Sequence, residues 1–323
     1  MEVTTQFSYP VSHEAHADAA RRTIARHAGQ LSSDETLLGR LGVVVQEMAR
    51  NLVLHAGGGE LLYYQDGERL ELLAVDKGPG MADVGRCLAD SYSSKGTLGA
   101  GLGAISRLSD QFDIYSQPGQ GTVVLARFHL RPVQGPLISA GVCTPYPGEE
   151  VSGDGWAVRG NRLLVCDGLG HGHAAHAAST LARELFLDHD PSLPLETLLE
   201  RMHRALASTR GGALALAEVL AEQAQVRFCG MGNIAGVLFD GRGRSMVSGN
   251  GTVGYRIGRI QSFSYPWTPS TVLLMSSDGI GTRHDLAAYP GLAGRHPAVI
   301  AAVLHRDFRR LNDDATMVVM KHA

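Results

Sequence analysis

Apolar residues recur along the chain in two rhythms. Over residues 12–29, Ala17, Ala20, Ile24 and Ala28 return at helical spacing, while Asp18, Arg21 and Arg22 fall off that face; this predicts an amphipathic helix. Ser32, Ser33, Asp34 and Glu35 supply capping oxygens and early acids. A second helix is therefore expected over 36–55, with Leu41, Val44, Val45, Met48 and Leu52 on its buried side. The rhythm then shortens. Residues 1–10 alternate loosely, as an edge strand would, and strands are expected over 60–65, 69–75, 112–116 and 122–129, the middle pair joined by the hairpin signal Asp66-Gly67-Glu68. A short helix is expected over 104–110.

Residues 130–136 hold Pro132 and Pro136 and read as a stiff linker. Beyond it, strands are expected over 137–143, 155–158, 163–166, 212–220, 225–229, 234–239, 271–276 and 315–320, and helices over 172–188, 195–207 and 295–309. Two groups of strands with a helix pair between them predict a β-sandwich flanked by helices. The chain thus reads as α+β with two domains, 1–131 and 137–323.

Composition narrows the function. Of the 323 residues 44% are hydrophobic and 19% charged, as in a soluble globular protein. Lys and Arg number 12 against 15 Asp and Glu in residues 1–135, and 17 against 17 in the rest, so neither half offers a basic surface to nucleic acid. Cys87, Cys143, Cys166 and Cys229 are scattered singly and suggest neither zinc nor a secreted framework. The polar N-terminus lacks a signal core, and no apolar run approaches the ~20 residues of a membrane span, so the cytoplasm is the expected compartment.

The second half concentrates aspartates at strand ends. The run Leu163 to Cys166 stops on Asp167-Gly168-Leu169-Gly170-His171-Gly172-His173. Asp154 lies upstream in Ser152-Gly153-Asp154-Gly155, Asp278-Gly279 ends a second apolar strand, and Asp313-Asp314 precede the last one. Carboxylates converging on one sheet edge can hold two hydrated cations, with magnesium or manganese suited to hard oxygens. From 139 to 320 this ordered set resembles the metal-dependent Ser/Thr phosphatase family (PPM, type 2C), in its bacterial branch of the RsbX and SpoIIE kind. The resemblance implies a metal set of Asp154, Asp167, Gly168 through its carbonyl, Asp278 and Asp314, with Asp167 bridging two Mn2+ or Mg2+ ions as a catalytic residue. Asp313 is the alternative to Asp314, which the spacing to the strand favours. Larger relatives place an acid histidine directly after the bridging Asp-Gly; here that position is Leu169, and His171 and His173 are the candidates for the leaving-group acid. The phosphate-orienting arginine of those relatives has no match upstream.

In the first half, Glu47, Asn51 and His55 fall at i, i+4 and i+8 on one helix face, a polar stripe that needs a partner. Asp76-Lys77-Gly78-Pro79-Gly80 follows a strand, and Gly96-Thr97-Leu98-Gly99-Ala100-Gly101-Leu102-Gly103 precedes a helix, as in a loop that cradles phosphates. Over 5–130 this order resembles the GHKL ATPase family (Bergerat fold, an α/β sandwich), among the small switch kinases of the RsbT and RsbW kind. The resemblance implies ATP with Mg2+ as cofactor: Asn51 on the magnesium, Glu47 as catalytic base, and Asp76 on the adenine with Gly78 and Gly80 shaping its turn. It implies further that Gly99, Gly101 and Gly103 close over the phosphates, with Lys95 and Thr122 as additional nucleotide contacts. No dimerisation helix with a phospho-accepting histidine is present in the sequence, and His55 reads as structural.

Together the two resemblances imply a bifunctional regulator of a partner-switching pathway, a Ser/Thr kinase domain joined to a phosphoserine/phosphothreonine phosphatase. Its expected partner is a STAS-domain anti-sigma antagonist or a stressosome-like protein. A phosphatase with an ATP-sensing domain, and a non-enzymatic anti-sigma or STAS-binding module, are the rival readings.

Overall fold

A computed structural model describes residues 5–88, 101–132 and 135–323. They form two compact units, one within residues 1–134 and one within 135–323.

The first unit runs β1 (Thr5–Val11), α1 (Glu14–Leu31), α2 (Glu35–Asn51), β2 (Gly59–Gln65), β3 (Arg69–Val75), α3 (Val84–Leu88), α4 (Gly101–Leu108), β4 (Gln111–Ser116) and β5 (Thr122–His129). Its strands make one antiparallel sheet in the order β1-β2-β3-β5-β4, so the first strand is an edge. Alternate residues, among them Leu61, Tyr63, Leu72, Val124 and Phe128, point to one face and pack against Ile24, Leu41, Val44, Met48 and Ile105 of the helices. Asp34 caps α2 as its sequence suggests, its Oδ1 accepting from the Thr36 and Leu37 amides at 2.9 and 3.2 Å.

Two features differ from the periodic reading. The helix expected to reach residue 55 is α-helical only to Asn51, and Leu52–Ala56 wind into a wider π turn closed by Gly57 in the left-handed region. The wider winding takes His55 off the straight line through Glu47 and Asn51. The helix expected from residue 104 already includes Gly101 and Gly103.

The second unit runs β6 (Leu137–Thr144), β7 (Asp154–Arg159), β8 (Arg162–Gly168), α5 (His173–Asp188), α6 (Leu195–Leu206), β9 (Gly212–Leu220), β10 (Gln225–Met231) and β11 (Ala235–Phe239). It continues through the short strands β12 (Gly243–Ser245), β13 (Ser248–Gly249), β14 (Gly251–Thr252), β15 (Arg256–Ile257) and β16 (Phe263–Pro266) to β17 (Val272–Ser276), α7 (Pro297–Phe308) and β18 (Ala315–His322). One sheet has the order β13-β10-β9-β8-β7, with β16 also on β10; the other has the order β12-β11-β17-β18-β6. Leu163, Val165, Ala217 and Phe228 of the first interleave with Leu238, Leu273, Met275 and Val318 of the second around Trp267. On the outer face of the first sheet Leu164, Cys166, Leu214 and Leu216 pack under Ala182, Phe186, Leu198 and Met202 of the two central helices. Helix α7 packs on β6 and β18 and is buried along Pro297–Arg306. The result is a β-sandwich between helical layers.

Candidate functional site

Antiparallel pairing brings the aspartates to one end of the sandwich. Asp154, the first residue of β7, is the direct cross-strand partner of Asp167 near the end of β8. In the facing sheet, β17 ends just before Asp278 and the neighbouring β18 begins just after Asp314, with Ser276 opposite Met317. Ser277 ties the two sheets together. Its hydroxyl donates to Asp154 Oδ2 at 2.6 Å while its oxygen accepts from the Thr316 amide at 3.0 Å. Neither Gly168 nor Gly279 has room for a side chain: a β-carbon on the first would overlap the Ala175 carbonyl, and on the second the Asp314 carbonyl.

Like charges this close cannot all ionise in the bare protein. Burial, then the charges of Asp154, Asp278 and Asp313, push the Asp167 carboxyl up to about 9. Burial also pushes Asp154 up to about 7, with Asp314 and Asp313 adding to it against the Ser277 hydroxyl. Asp313 is raised by burial and next by Asp278. Two oxygens, Asp154 Oδ1 and Asp314 Oδ2, are buried with no hydrogen-bond donor among the described residues. The carboxylates do not already close on one point: among the described residues no group of three or more His, Cys, Asp or Glu encircles a metal position. Orphaned acid oxygens are what a divalent cation would satisfy. The donor set therefore fits magnesium or manganese.

The two neighbouring aspartates near the terminus divide their work. Asp314 turns toward the β6–β7 loop, accepting from the Tyr146 amide at 2.8 Å and the Ser152 hydroxyl at 3.1 Å. Asp313 is the one whose charge reaches Asp167 and Asp278. Three supporting groups carry no motif in the sequence. Asn233 donates to Asp278 Oδ2 at 2.8 Å, Ser152 also accepts from the Asp154 amide at 3.1 Å, and the His176 ring meets the Ser152 carbonyl at 2.8 Å. Of the histidines after Asp167, His171 pairs through Nδ1 with Glu149 at 2.7 Å and stacks on Tyr146, whereas His173 is exposed at the start of α5.

In the first unit, Glu47 and Asn51 share the face of α2 that meets the start of α4. A β-carbon placed on Gly101 would stand 3.3 Å from Asn51 Oδ1 and 3.4 Å from Glu47 Oε2. The amide Nδ2 of Asn51 is buried without a hydrogen-bond partner among the described residues. Asp76 organises the other motif: its Oδ1 accepts from the Gly78 amide at 2.8 Å and the Thr122 amide at 3.1 Å. Thr122 in turn shares a hydroxyl contact with Ser116 at 2.9 Å. Gly80 has a φ of +64°, and a β-carbon there would run into the Gln117 carbonyl, so this turn requires glycine. Gly78 lies against Ala56 at the end of the π turn, which brings the Asp76 turn up to the helix bearing Asn51. Gly103 is buried within α4. Lys95 and Gly99 lie outside the described residues.

Residues 11–128 match the histidine kinase-like ATPase domain, and residues 159–323 match stage II sporulation protein E (SpoIIE). The serine/threonine-protein kinase RsbT of Bacillus subtilis (strain 168) is 36% identical over 114 residues, covering 34% of this chain and 84% of RsbT. The phosphoserine phosphatase RsbX of the same organism is 28% identical over 102 residues, 30% of this chain and 51% of RsbX. A solved chain described under "The bacterial stressosome: a modular system that has been adapted to control secondary messenger signaling" superposes with a TM-score of 0.51 at 22% identity, over 57% of this chain and 99% of its own; at that identity the likeness is one of fold. Among the described residues no helix is long and apolar enough to cross a membrane. A kinase-like ATPase domain and a PPM-type phosphatase domain thus share one polypeptide, and the chain belongs to the SpoIIE phosphatase family.

Proposed function

We propose that the chain is a bifunctional regulator of a partner-switching pathway, which phosphorylates a serine or threonine of a STAS-domain protein through its first domain and removes that phosphate through its second. The observation that carries this reading is the gathering of Asp154, Asp167, Asp278, Asp313 and Asp314 at one end of a PPM-type sandwich, with one buried oxygen each of Asp154 and Asp314 left without a donor among the described residues. Asp167 with the Gly168 carbonyl, Asp278 and Asp313 would hold two divalent cations, Asp313 in the place expected of Asp314. Asp154 and Asp314 would act as supporting acids. The bound cations would supply charge neutralisation for the phosphoryl group and activation of water. Hydrolysis forms a bond from water oxygen to phosphorus and breaks the bond to the seryl or threonyl oxygen, which leaves with a proton.

For the first domain, Asn51 would hold the magnesium of ATP, Asp76 the adenine, and Gly101 the close backbone approach to the phosphates. Glu47, across from Gly101, would take the proton of the attacking hydroxyl as the γ-phosphoryl group transfers to it. The likeness to a named Ser/Thr kinase and a named phosphoserine phosphatase supports the pairing of activities. Joining them gives both sites a high effective concentration at one docked partner.

The test mixes the full chain, a STAS-domain protein and labelled ATP. Glu47→Ala is expected to stop incorporation of label while leaving its release unchanged, and Asp278→Asn to do the reverse. If the wild type and Asp278→Asn both leave the STAS protein unlabelled, the kinase half of the reading falls.

The acid cluster also predicts a pH-dependent response to metal. Carboxyls raised to about 7 and about 9 favour the metal-free fold fully only below the ordinary range near pH 4. That contribution is lost as pH rises through the two folded-state values. The gain in melting temperature of the second unit on adding Mn2+ over EDTA should therefore be larger at about pH 8.5 than at about pH 5.5. An equal gain at both, by calorimetry, would contradict it.

A further inference from the structure

Five large apolar side chains stand exposed among the described residues: Val43, Leu169, Val247, Tyr255 and Leu311. Two of them adjoin the aspartates in sequence, and a third sits on a turn bonded to the strand beside Gly168. Leu169, 57% exposed, directly follows Asp167-Gly168, and Leu311, 73% exposed, precedes Asp313 by two positions. Tyr255, 84% exposed, sits in the turn between β14 and β15. Backbone hydrogen bonds lace these loops to the site. The Leu169 amide donates to the Gly211 carbonyl at 2.9 Å, and Gly212 and Val253 exchange bonds of 3.0 and 2.8 Å. The Gly254 amide donates to His203 Nδ1 at 3.0 Å, which holds the Tyr255 turn, while the Arg310 amide donates to the Gly279 carbonyl at 2.7 Å beside Leu311.

Arg210 lies on the same rim. Its Nη1 is 3.1 Å from where a β-carbon on Gly170 would stand, and it makes no ion pair among the described residues although aspartates crowd the adjoining loop. A small phosphoester would leave the three apolar side chains in water, whereas a folded protein can cover them. A guanidinium without a carboxylate is suited to the fork geometry of a phosphate.

We propose that Leu169, Tyr255 and Leu311 form the docking rim for a folded protein that carries phosphoserine or phosphothreonine beside an apolar patch, with Arg210 at the phosphoryl end; this rests on the phosphatase reading above. The apolar contacts select the protein, and the arginine engages the group that every substrate of the site shares.

The test uses the full chain with Mn2+ and two substrates, a phosphorylated STAS-domain protein and p-nitrophenyl phosphate. A variant combining Leu169→Ser, Tyr255→Ser and Leu311→Ser is expected to lose about ten-fold or more in kcat/KM on the phosphoprotein, through KM, and less than about two-fold on p-nitrophenyl phosphate. Arg210→Ala is expected to slow both substrates while Mn2+ binding, followed by calorimetry, stays at the wild-type value. Unchanged kcat/KM on the phosphoprotein, or an equal loss on both substrates by the triple variant, overturns the docking rim. Unchanged turnover of both substrates by Arg210→Ala overturns its place at the phosphoryl end. If the wild type fails to hydrolyse p-nitrophenyl phosphate with Mn2+, the phosphatase reading itself is overturned, and the rim with it.

Discussion

Asp167→Asn is expected to lower turnover of a phosphoprotein by about a thousand-fold or more, about 4 kcal/mol on the barrier. The size follows from position. Asp167 stands directly across from Asp154 on the neighbouring strand, and the charges of Asp278 and Asp313 also reach it. A carboxylate so placed can serve both cations, and an amide in its place lacks the charge that offsets theirs. Folding should not suffer. Asparagine keeps the shape and is neutral, as the crowded Asp167 carboxyl itself is in the metal-free protein near pH 7, so the metal-free melting temperature should hold or rise. Phosphate release with Mn2+, alongside a thermal melt in EDTA, separates the two effects. Wild-type turnover by Asp167→Asn, or full wild-type turnover in excess EDTA, would sink the assignment.

Asn51→Ala should weaken magnesium-dependent ATP binding by about ten-fold or more, about 1.4 kcal/mol in binding free energy. Asn51 carries an amide nitrogen that is buried and unpartnered among the described residues, on the helix face that meets Gly101. A buried polar atom without a partner costs stability. Alanine should therefore leave the urea midpoint unchanged or slightly higher while removing the contact to the nucleotide. Titration calorimetry on the full chain reads binding, and circular dichroism confirms the fold. Affinity equal to wild type in Asn51→Ala, or no heat from the folded wild type at millimolar ATP, would reject the nucleotide site.

Much of this architecture was legible because burial imposes rhythm. The run from Leu163 to Cys166 could be read as a strand, and Asp167 as its end, because four apolar residues followed by alternating glycines allow little else. The Asp34 cap was visible for a similar reason, since its side chain answers a local need of the helix start. What escaped depends on contacts distant in sequence. Counting back from β18 could not show that Asp314 Oδ1 is taken by the Tyr146 amide and the Ser152 hydroxyl, contacts more than 160 positions away in sequence. The π turn at Leu52–Ala56 leaves no trace in apolar spacing. Gly101 lies within α4 despite its poor helix propensity, in the place where anything larger would press on Glu47 and Asn51. The strand Phe263–Pro266 is short and partly exposed, and its pairing with β10 rather than its own pattern defines it.

The overlap that any side chain would create at Gly168 and Gly279 has a consequence for how such a chain could decay over evolutionary time. These glycines answer to the backbone beside them, at the Ala175 and Asp314 carbonyls, and that demand persists whether or not the reaction does. The aspartates crowd one another, and the few donors they meet, such as Asn233 on Asp278, do not offset that crowding as cations would. A descendant lineage released from selection for catalysis would therefore gain stability by drifting at Asp167 and Asp278 while keeping both glycines. Intact glycines beside altered acids would be the signature of an inherited scaffold that has become inert.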